Sequence, residues 1–518
     1  MRLEQKQLED MLAGCWAGKN IGGVLGAPFE GKRGIFEVDF YTQDLSAGPP
    51  PNDDLDLQIV WLAAVERYGR NVNASILGDY WLSYVIPNWV EYGMGKANLR
   101  AGLEPPMSGT VDNQYKNSCG CFIRSEIWAC LAPGHPEIAA RYAYEDAIVD
   151  HAEEGMYGEI FFAALQSAAF VEKDIRRLIA VGLSYIPKQC VTAKAIREAV
   201  NCYDEKVDFY EARKRIHNTA PGTFGIQLIG LDEIPEENNE SMVIGEPGFD
   251  APENVAFTIA GLLYGEGDFG KSICLANSCG EDTDCTCATL GAVLGILYGE
   301  SGIPDKWKAP LDDKIATMCI DKTSKGIWVP DTATELAERI MRNIPGFLGQ
   351  ELCDIFGEDG MTITCEETNL MCAEEERYIP YINGNGKSEE IMVKDLCALS
   401  PYIIRKEFPS FSVMVDCRDS IYYSCIQPRK LKVTVKNSHT MCQQQWVSIR
   451  LWHPDNVENL GPDQYTLPLN NLYKSSAEAE FELNLENYRQ GRLELLFDIS
   501  LVGRHSYGVT KVILFQEP

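Results

Sequence analysis

Two short stretches place carboxylates directly ahead of apolar runs. In "PPPNDDLDLQIVW", which begins at Pro49, Asp53, Asp54 and Asp56 lie within four residues. In "SCGEDTDCTCATLGAVLG", Glu281, Asp282 and Asp284 follow Gly280. A helix start has an ordinary use for one or two acids. Asp and Asn cap the first turn, and a first-turn carboxylate gains about 0.3–1 kcal/mol from the helix dipole. Two clusters exceed that need, because adjacent carboxylates repel unless a cation offsets them. Oxygen ligands from two helix ends, completed by water, suit Mg²⁺, Mn²⁺ or Ca²⁺. The spacing therefore leaves two readings open: helix capping, or a divalent-cation site shared between two helix starts.

The elements that would hold such a site are helical. Over the first ~345 residues, apolar positions recur at i, i+3 and i+4 spacing. The pattern predicts helices over Leu55–Tyr68, Pro136–Ala147, Tyr157–Phe170, Ala256–Tyr264, Thr286–Tyr298 and Thr332–Ile344, with Gly69, Gly265 and Gly299 where C-terminal caps are expected. The first helix carries Gly14, Gly18, Gly22 and Gly26 in four-residue steps, and Gly291, Gly295 and Gly299 repeat the pattern later. Such stripes let two backbones approach closely. After "NIPGFLGQ" the character changes. Residues 346–395 are acidic and broken by "GEDG" and "NGNG", and read as a connecting region. From about Tyr402, "FSVMVDC", "KLKVTVKN", "WVSIRLW", "AEFELNL", "RLELLFDIS" and "VTKVILF" alternate with period two, which predicts a β-sandwich over residues 396–518. The fold class expected is thus multidomain: an all-α domain over residues 1–345, then an all-β sandwich-like domain.

At 518 residues and a formal charge of −30, the chain disfavours nucleic acid and anionic lipid as partners. The start "MRLEQKQLEDML" lacks an apolar signal region, and the most apolar run, Ala288 to Tyr298, is too short to span a bilayer. The scattered cysteines read as reduced thiols of a cytoplasmic protein. "GEGDFGKS", Gly265 to Ser272, fits a P-loop pattern literally. It follows a predicted helix instead of a strand, however, and carries Glu266 and Asp268 where phosphate would sit, so a helix–helix loop is expected. Cys119, Cys121, Cys279, Cys285 and Cys287 form no C-x-x-C pair, and carboxylates dominate their surroundings, which argues against a zinc cluster.

Four segments, in order, resemble the ADP-ribosylglycohydrolase family: "GCWAGKNIGGVLGAPFEG", "PNDDLDLQ", "SCGCFIRSEIW…YEDAIVDHAEEG" and "GEDTDCTCATLGAVLGILYG". They are similar to its "G-x-x-x-G-D-A-L-G-x-P-x-E", "T-D-D-T" and "G-G-D-T-D-T" signatures, and extend from about residue 10 to 308. The resemblance implies an all-α domain with two Mg²⁺ or Mn²⁺ ions in a cleft. These bind ribose hydroxyls and activate water to hydrolyse the bond from ribose C1″ to an acceptor. It implies as partner an ADP-ribosyl group, free or linked to protein. Carried over by position, it places Asn52, Asp53 and Asp54 at one metal triplet and Asp282, Asp284 and Cys285 at the other. It assigns catalysis to Glu30, Asp53 and Asp112, and substrate binding to Ser118, Gly120, His151 and Gly280. Asp56 becomes a first-turn acid. Four positions depart from the pattern: Asn52 and Leu55 replace the outer Thr residues, Cys285 the last Thr, and Gly23 the Asp of "G-D-A-L-G". The Cys285 exchange bears on the second ion, since a thiol is a poor magnesium ligand. Other expectations are a glycoside hydrolase with an α domain and a β-sandwich, and a catalytically silent ADP-ribose binder. The β region is read as a surface for protein or oligomer contacts.

Overall fold

The structure, a computed structural model, describes residues 1–220, 248–323, 326–357, 360–365, 370–372, 392–437, 444–470 and 476–517. Its organising element is a helix pair. Helix α1 (Gln5–Gly26) carries the first glycine stripe, and helix α3 (Thr283–Tyr298) the second. Helix α3 is apolar all round and buried from Thr283 to Ile296, as a central helix must be. The stripes meet backbone to backbone. A Cβ on Gly18 would lie 2.0 Å from the Gly291 carbonyl oxygen, and one on Gly22 would lie 2.0 Å from that of Cys287. One on Gly26 would meet Thr283 and Asp284 at 2.3–2.4 Å. The tight-packing reading of the stripes is thus the observed one. Thr283 Oγ1 donates to the Gly26 carbonyl at 2.9 Å, which locks the end of α1 to the start of α3.

Helix α2 (Asp56–Tyr68) ends at Gly69, where φ is +57°. The other predicted helices form with displaced ends: Glu153–Ala169, Ala251–Tyr264 and Ala333–Leu348 are longer than periodicity indicated, and Pro136–Ala147 matches. The P-loop lookalike is a helix–helix turn, in which the Asp268 carboxylate accepts the Lys271 N–H and caps the following helix. The first compact unit comprises Met1–Met94, Asn113–Ala147 and His151–Ala373. Its expected connecting region contains a hairpin, β4 (Cys353–Gly357) and β5 (Gly360–Thr364), and β5 pairs antiparallel with β1 (Arg2–Glu4). Residues 358–359, 366–369 and 373–391 of that region lie outside the described residues.

The second unit comprises Gly95–Asp112, Ile148–Asp150 and Glu374–Pro518. Two five-stranded sheets enclose one core: one runs, edge to edge, Gln464–Leu469, Gln445–Trp452, Arg492–Leu501, Tyr507–Gln516 and Tyr422–Tyr423, the other Glu458–Asn459, Ser476–Asn484, Arg429–Asn437, Phe411–Asp416 and Ile403–Glu407. Period-two burial explains the arrangement: Val413, Val433 and Phe481 point inward from one sheet and Ile449, Leu495 and Phe497 from the other. Leu103, Met107 and Val111, from the helical part of the sequence, join this β core. The fold is therefore an all-α domain followed by an all-β sandwich-like domain. Among the described residues no helix is long and apolar enough to cross a membrane, and all cysteines are free thiols.

The α1–α3 contact makes a prediction whose sign helix propensity alone would reverse. Gly22→Ala adds about 1 kcal/mol of intrinsic helix stability, but its methyl must displace a backbone carbonyl. Urea unfolding should show a net loss of about 1–3 kcal/mol, the usual cost of overpacking; a stabilised variant would contradict the contact.

Candidate metal centre and active site

The two acidic leads do not cap their helices. Leu55 occupies the N-cap of α2 and Asp282 that of α3, and neither side chain accepts a first-turn N–H. By contrast, Asp174, Asp208 and Asp268 cap theirs in the ordinary way. Ordinary capping therefore accounts for neither cluster as a whole, although the Asp282 carboxylate lies close to the Cys285 N–H. The locking of α1 to α3 brings in a third contributor, Glu30, just beyond the end of α1. The chain turns there through Gly31, whose N–H bonds the Glu281 carbonyl at 2.8 Å, and continues as β2 (Lys32–Arg33). Strand β2 pairs antiparallel with β3 (Gly280–Glu281), the lead into α3. Gly280 has φ of +71°, and a Cβ on it would lie 2.6 Å from the Lys32 carbonyl, so this ladder requires glycine.

The leads of α2 and α3 touch through Asn52. Its Oδ1 accepts the Asp54 N–H at 2.7 Å, while its Nδ2 lies 3.5 Å from Asp284 Oδ2. Gly23 of α1 faces the same spot: a Cβ there would be 3.0 Å from both Asn52 Nδ2 and Asp54 Oδ2. Asp54, Asp282 and Asp284 are 2%, 2% and 3% exposed. Both oxygens of Asp54, Oδ1 of Asp282 and Oδ1 of Asp284 are buried with no hydrogen-bond partner. Burial pushes the Asp54 carboxyl up to about 8, partly opposed by Lys19. Burial and Asp282 raise Asp53 to about 6, against a backbone N–H and the Tyr92 hydroxyl, 3.4 Å from Asp53 Oδ2. Asp284 is driven well above the carboxylate range by burial and by Glu30, Asp54 and Asp282. Glu30 is exposed to water at the edge of the cluster. The protein wall behind it and the charges of Asp282, Asp53 and Asp54 push its carboxyl upward. Lys19 on α1, a buried cation that acts on Asp53 and Asp54, is already 3.2 Å from Glu126.

The remaining predicted residues divide. Ser118 Oγ and His151 Nε2 are 2.7 Å apart and buried. Gly155 leaves room for that imidazole, since a Cβ there would sit 2.8 Å from His151 Cδ2. Gly120 lets Glu91 approach; a Cβ would lie 2.1 Å from its Oε1. The Ser118 and Cys119 N–H groups bond the carbonyls of Tyr115 and Phe249. Asp112, at φ +50°, belongs to the second unit, where the Tyr422 hydroxyl donates to its Oδ2 at 2.9 Å. Cys285 lies within 4.8 Å, ligand atom to ligand atom, of Asp282 and Asp284.

Two acids have other work. Asp56 is in the first turn of α2, yet its Oδ2 accepts the N–H groups of Met318 (2.7 Å) and Cys319. Burial raises it to about 7, and those two bonds oppose the rise. Glu281 accepts Arg33 Nε and Arg213 Nη2, each at 3.0 Å, and the Gly248 N–H at 2.6 Å. His217, Glu253 and Glu281 also cluster within 4.8 Å, but Glu281 is already paired with two guanidinium groups and Glu253 with His217 Nδ1. The sequence reading passed over Lys19 and Tyr92. Lys19 stands in "AGKN" between two stripe glycines, a buried position where a charge needs a partner; Tyr92 carries no such signal.

The sequence profile of the ADP-ribosylglycohydrolase family matches residues 4–345. A solved structure titled "ADP-ribosylglycohydrolase-related protein complex" is 18% identical with a TM-score of 0.42; the match covers 66% of this chain and 98% of that one. No curated protein matches. With the profile spanning both acidic leads, the α1–α3 pair and the Ser118–His151 segment, the chain belongs to the ADP-ribosylglycohydrolase family.

Proposed function

We propose that the chain is a metal-dependent hydrolase that cleaves the C1″ glycosidic bond between an ADP-ribosyl, or related ribosyl, group and its acceptor. Family membership supports glycohydrolase action on ADP-ribosyl groups. One observation carries the metal part: buried, donor-free carboxylate oxygens of Asp54, Asp282 and Asp284 come together from two helix leads that those residues do not cap. Without compensation, their mutual repulsion and desolvation oppose folding. The oxygen donors fit Mg²⁺ or Mn²⁺, with Asn52, Asp53 and Asp54 on one side and Asp282 and Asp284 on the other; Cys285, beside the last two, is the one donor that does not favour a hard cation. A bound cation there supplies Lewis acidity and makes water a usable nucleophile near neutral pH.

The chain's own side chains supply the rest. Glu30 sits at the open edge of the cluster with its proton affinity raised, which suits a group that takes a proton from water or returns one to the leaving group. Ser118 fixes the His151 ring through Nε2, and the family resemblance gives that ring its place beside the substrate. The Tyr92 hydroxyl steadies Asp53.

Two tests follow. Release of free ADP-ribose from an ADP-ribosylated protein should stop in excess chelator and return with Mg²⁺ or Mn²⁺. Asp53→Ala and Asp284→Ala should each lower kcat/KM by roughly 10²–10³-fold, the scale for removing one preorganised electrostatic group. Full turnover in chelator would overturn the metal reading, and ADP-ribose raising Tm without turnover would leave a binding protein. The second test concerns pH. In metal-free protein, Asp53 and Asp54 titrate near 6 and 8, above the unfolded value of about 4. The folded state holds protons that the unfolded chain has released, so their stabilisation is complete below about pH 4 and is lost as pH rises through the folded values. Metal-free Tm should therefore fall from about pH 5 to about pH 9. Asp54→Asn should flatten that decline, and so should saturating Mg²⁺ or Mn²⁺. A metal-free Tm that holds level or rises over this range would contradict the buried cluster.

A further inference from the structure

Cys285 stands beside Asp282 and Asp284 with its thiol nearly closed off from water, at 9% exposure. Sγ and one oxygen of each Asp lie mutually within 4.8 Å. A second thiol approaches the same carboxylate. Cys119, fully buried at the turn after Ser118, acts on Asp282 and on Cys285. Two sulfurs therefore flank Asp282. The carboxylate oxygens Asp282 Oδ1 and Asp284 Oδ1 are buried here with no donor. The opposite side of the cluster, Asn52, Asp53 and Asp54, offers oxygen only. Hard cations keep to oxygen ligands, whereas thiolates favour zinc and other soft ions.

We propose that the Asp282–Asp284–Cys285 position is a mixed carboxylate–thiolate site that takes a thiophilic divalent cation, Zn²⁺ in preference to Mg²⁺. The Asn52–Asp53–Asp54 side keeps a hard cation. The inference rests on the metal-hydrolase reading for the place of the site, and adds the identity of the ion. Binding forms a metal–sulfur bond and breaks the S–H bond of Cys285, and the proton leaves to solvent. Cys119 is a positioning residue: its thiol bonds Asp282 and sets how that carboxylate meets the ion.

Cobalt is the probe. The full chain is stripped with chelator and titrated with Co²⁺, while equilibrium dialysis counts bound ion. A cobalt–thiolate charge-transfer band should grow to saturation and disappear on adding Zn²⁺ at concentrations where Mg²⁺ has no effect. Cys285→Ser should lose the band, and Cys119→Ser should keep it with cobalt affinity lowered by roughly 10–100-fold. Cobalt binding without a thiolate band overturns the proposal, as does a band unchanged in Cys285→Ser. If that variant does not fold, Cys285→Thr replaces it, and the wild-type spectrum still decides, since its lack of a band is fatal. A thiolate band in a protein without ADP-ribose release would sink the hydrolase reading and leave this site standing. Turnover with no thiolate band would do the reverse.

Discussion

At Gly18 the carbonyl oxygen of Gly291 stands where a side chain would begin, and the same is true of Gly22 and Cys287. Two helices so close have no layer of side chains between them, and their relative position is set by backbone atoms. This contact decides where the chemistry can be. It carries the Glu30 turn, at the end of α1, to the lead of α3, and the β2–β3 ladder then fastens that turn to Gly280 and Glu281. Gly23, on the neighbouring face of α1, leaves open the space before Asn52 and Asp54. A looser helix pair would move the Glu30 turn and Gly23 away from the lead of α3.

The contact has an electrostatic consequence. Asp54, Asp282 and Asp284 are brought together in protein and away from water, with Asp53 and Glu30 beside them. Lys19, a deeply buried cation that acts on Asp54, is shared with Glu126. Three remedies exist for like charges at close range: a proton, a fixed cation of the protein, or a bound ion. The protein has provided the second remedy elsewhere. Arg33 and Arg213 converge on Glu281, and Arg124 is 3.1 Å from Asp146 in a fully buried pair. Among the described residues no ion pair is made to Asp54 or Asp284; Lys19 opposes the charge of Asp54 only from a distance, while it is engaged with Glu126.

How much of this was legible in the sequence depended on whether the cause was local. The glycine stripes and both acidic leads are patterns within one helix or turn, and they pointed correctly to a tight helix pair and to carboxylates at two helix starts. The alternating strands were equally plain, because each buries every second residue. What escaped depended on distant partners. Strand β1 is three residues long and exists because β5, some 360 positions away, pairs with it. Asp112 follows a helical stretch in sequence, yet Tyr422 of the β unit claims its carboxylate. Leu103, Met107 and Val111 have helical surroundings and a β core. No periodicity records such pairings.

The acids within each lead show the limit most clearly. By composition, Asp53, Asp54 and Asp56 are three equivalent carboxylates, as are Glu281, Asp282 and Asp284. The structure gives both triplets the same division of labour. One acid in each is turned away from the cluster to hold a distant loop: Asp56 takes the N–H groups of Met318 and Cys319, and Glu281 takes that of Gly248 with two guanidinium groups. The other two keep oxygens free or face the cluster. The anchor and the ligand positions need each other, because a carboxylate can be held off-cap with open oxygens only if the turn that carries it is pinned by something else. Counting acids at a helix start therefore overestimates its ligands. The excess acid is the part that keeps the lead from relaxing into an ordinary cap.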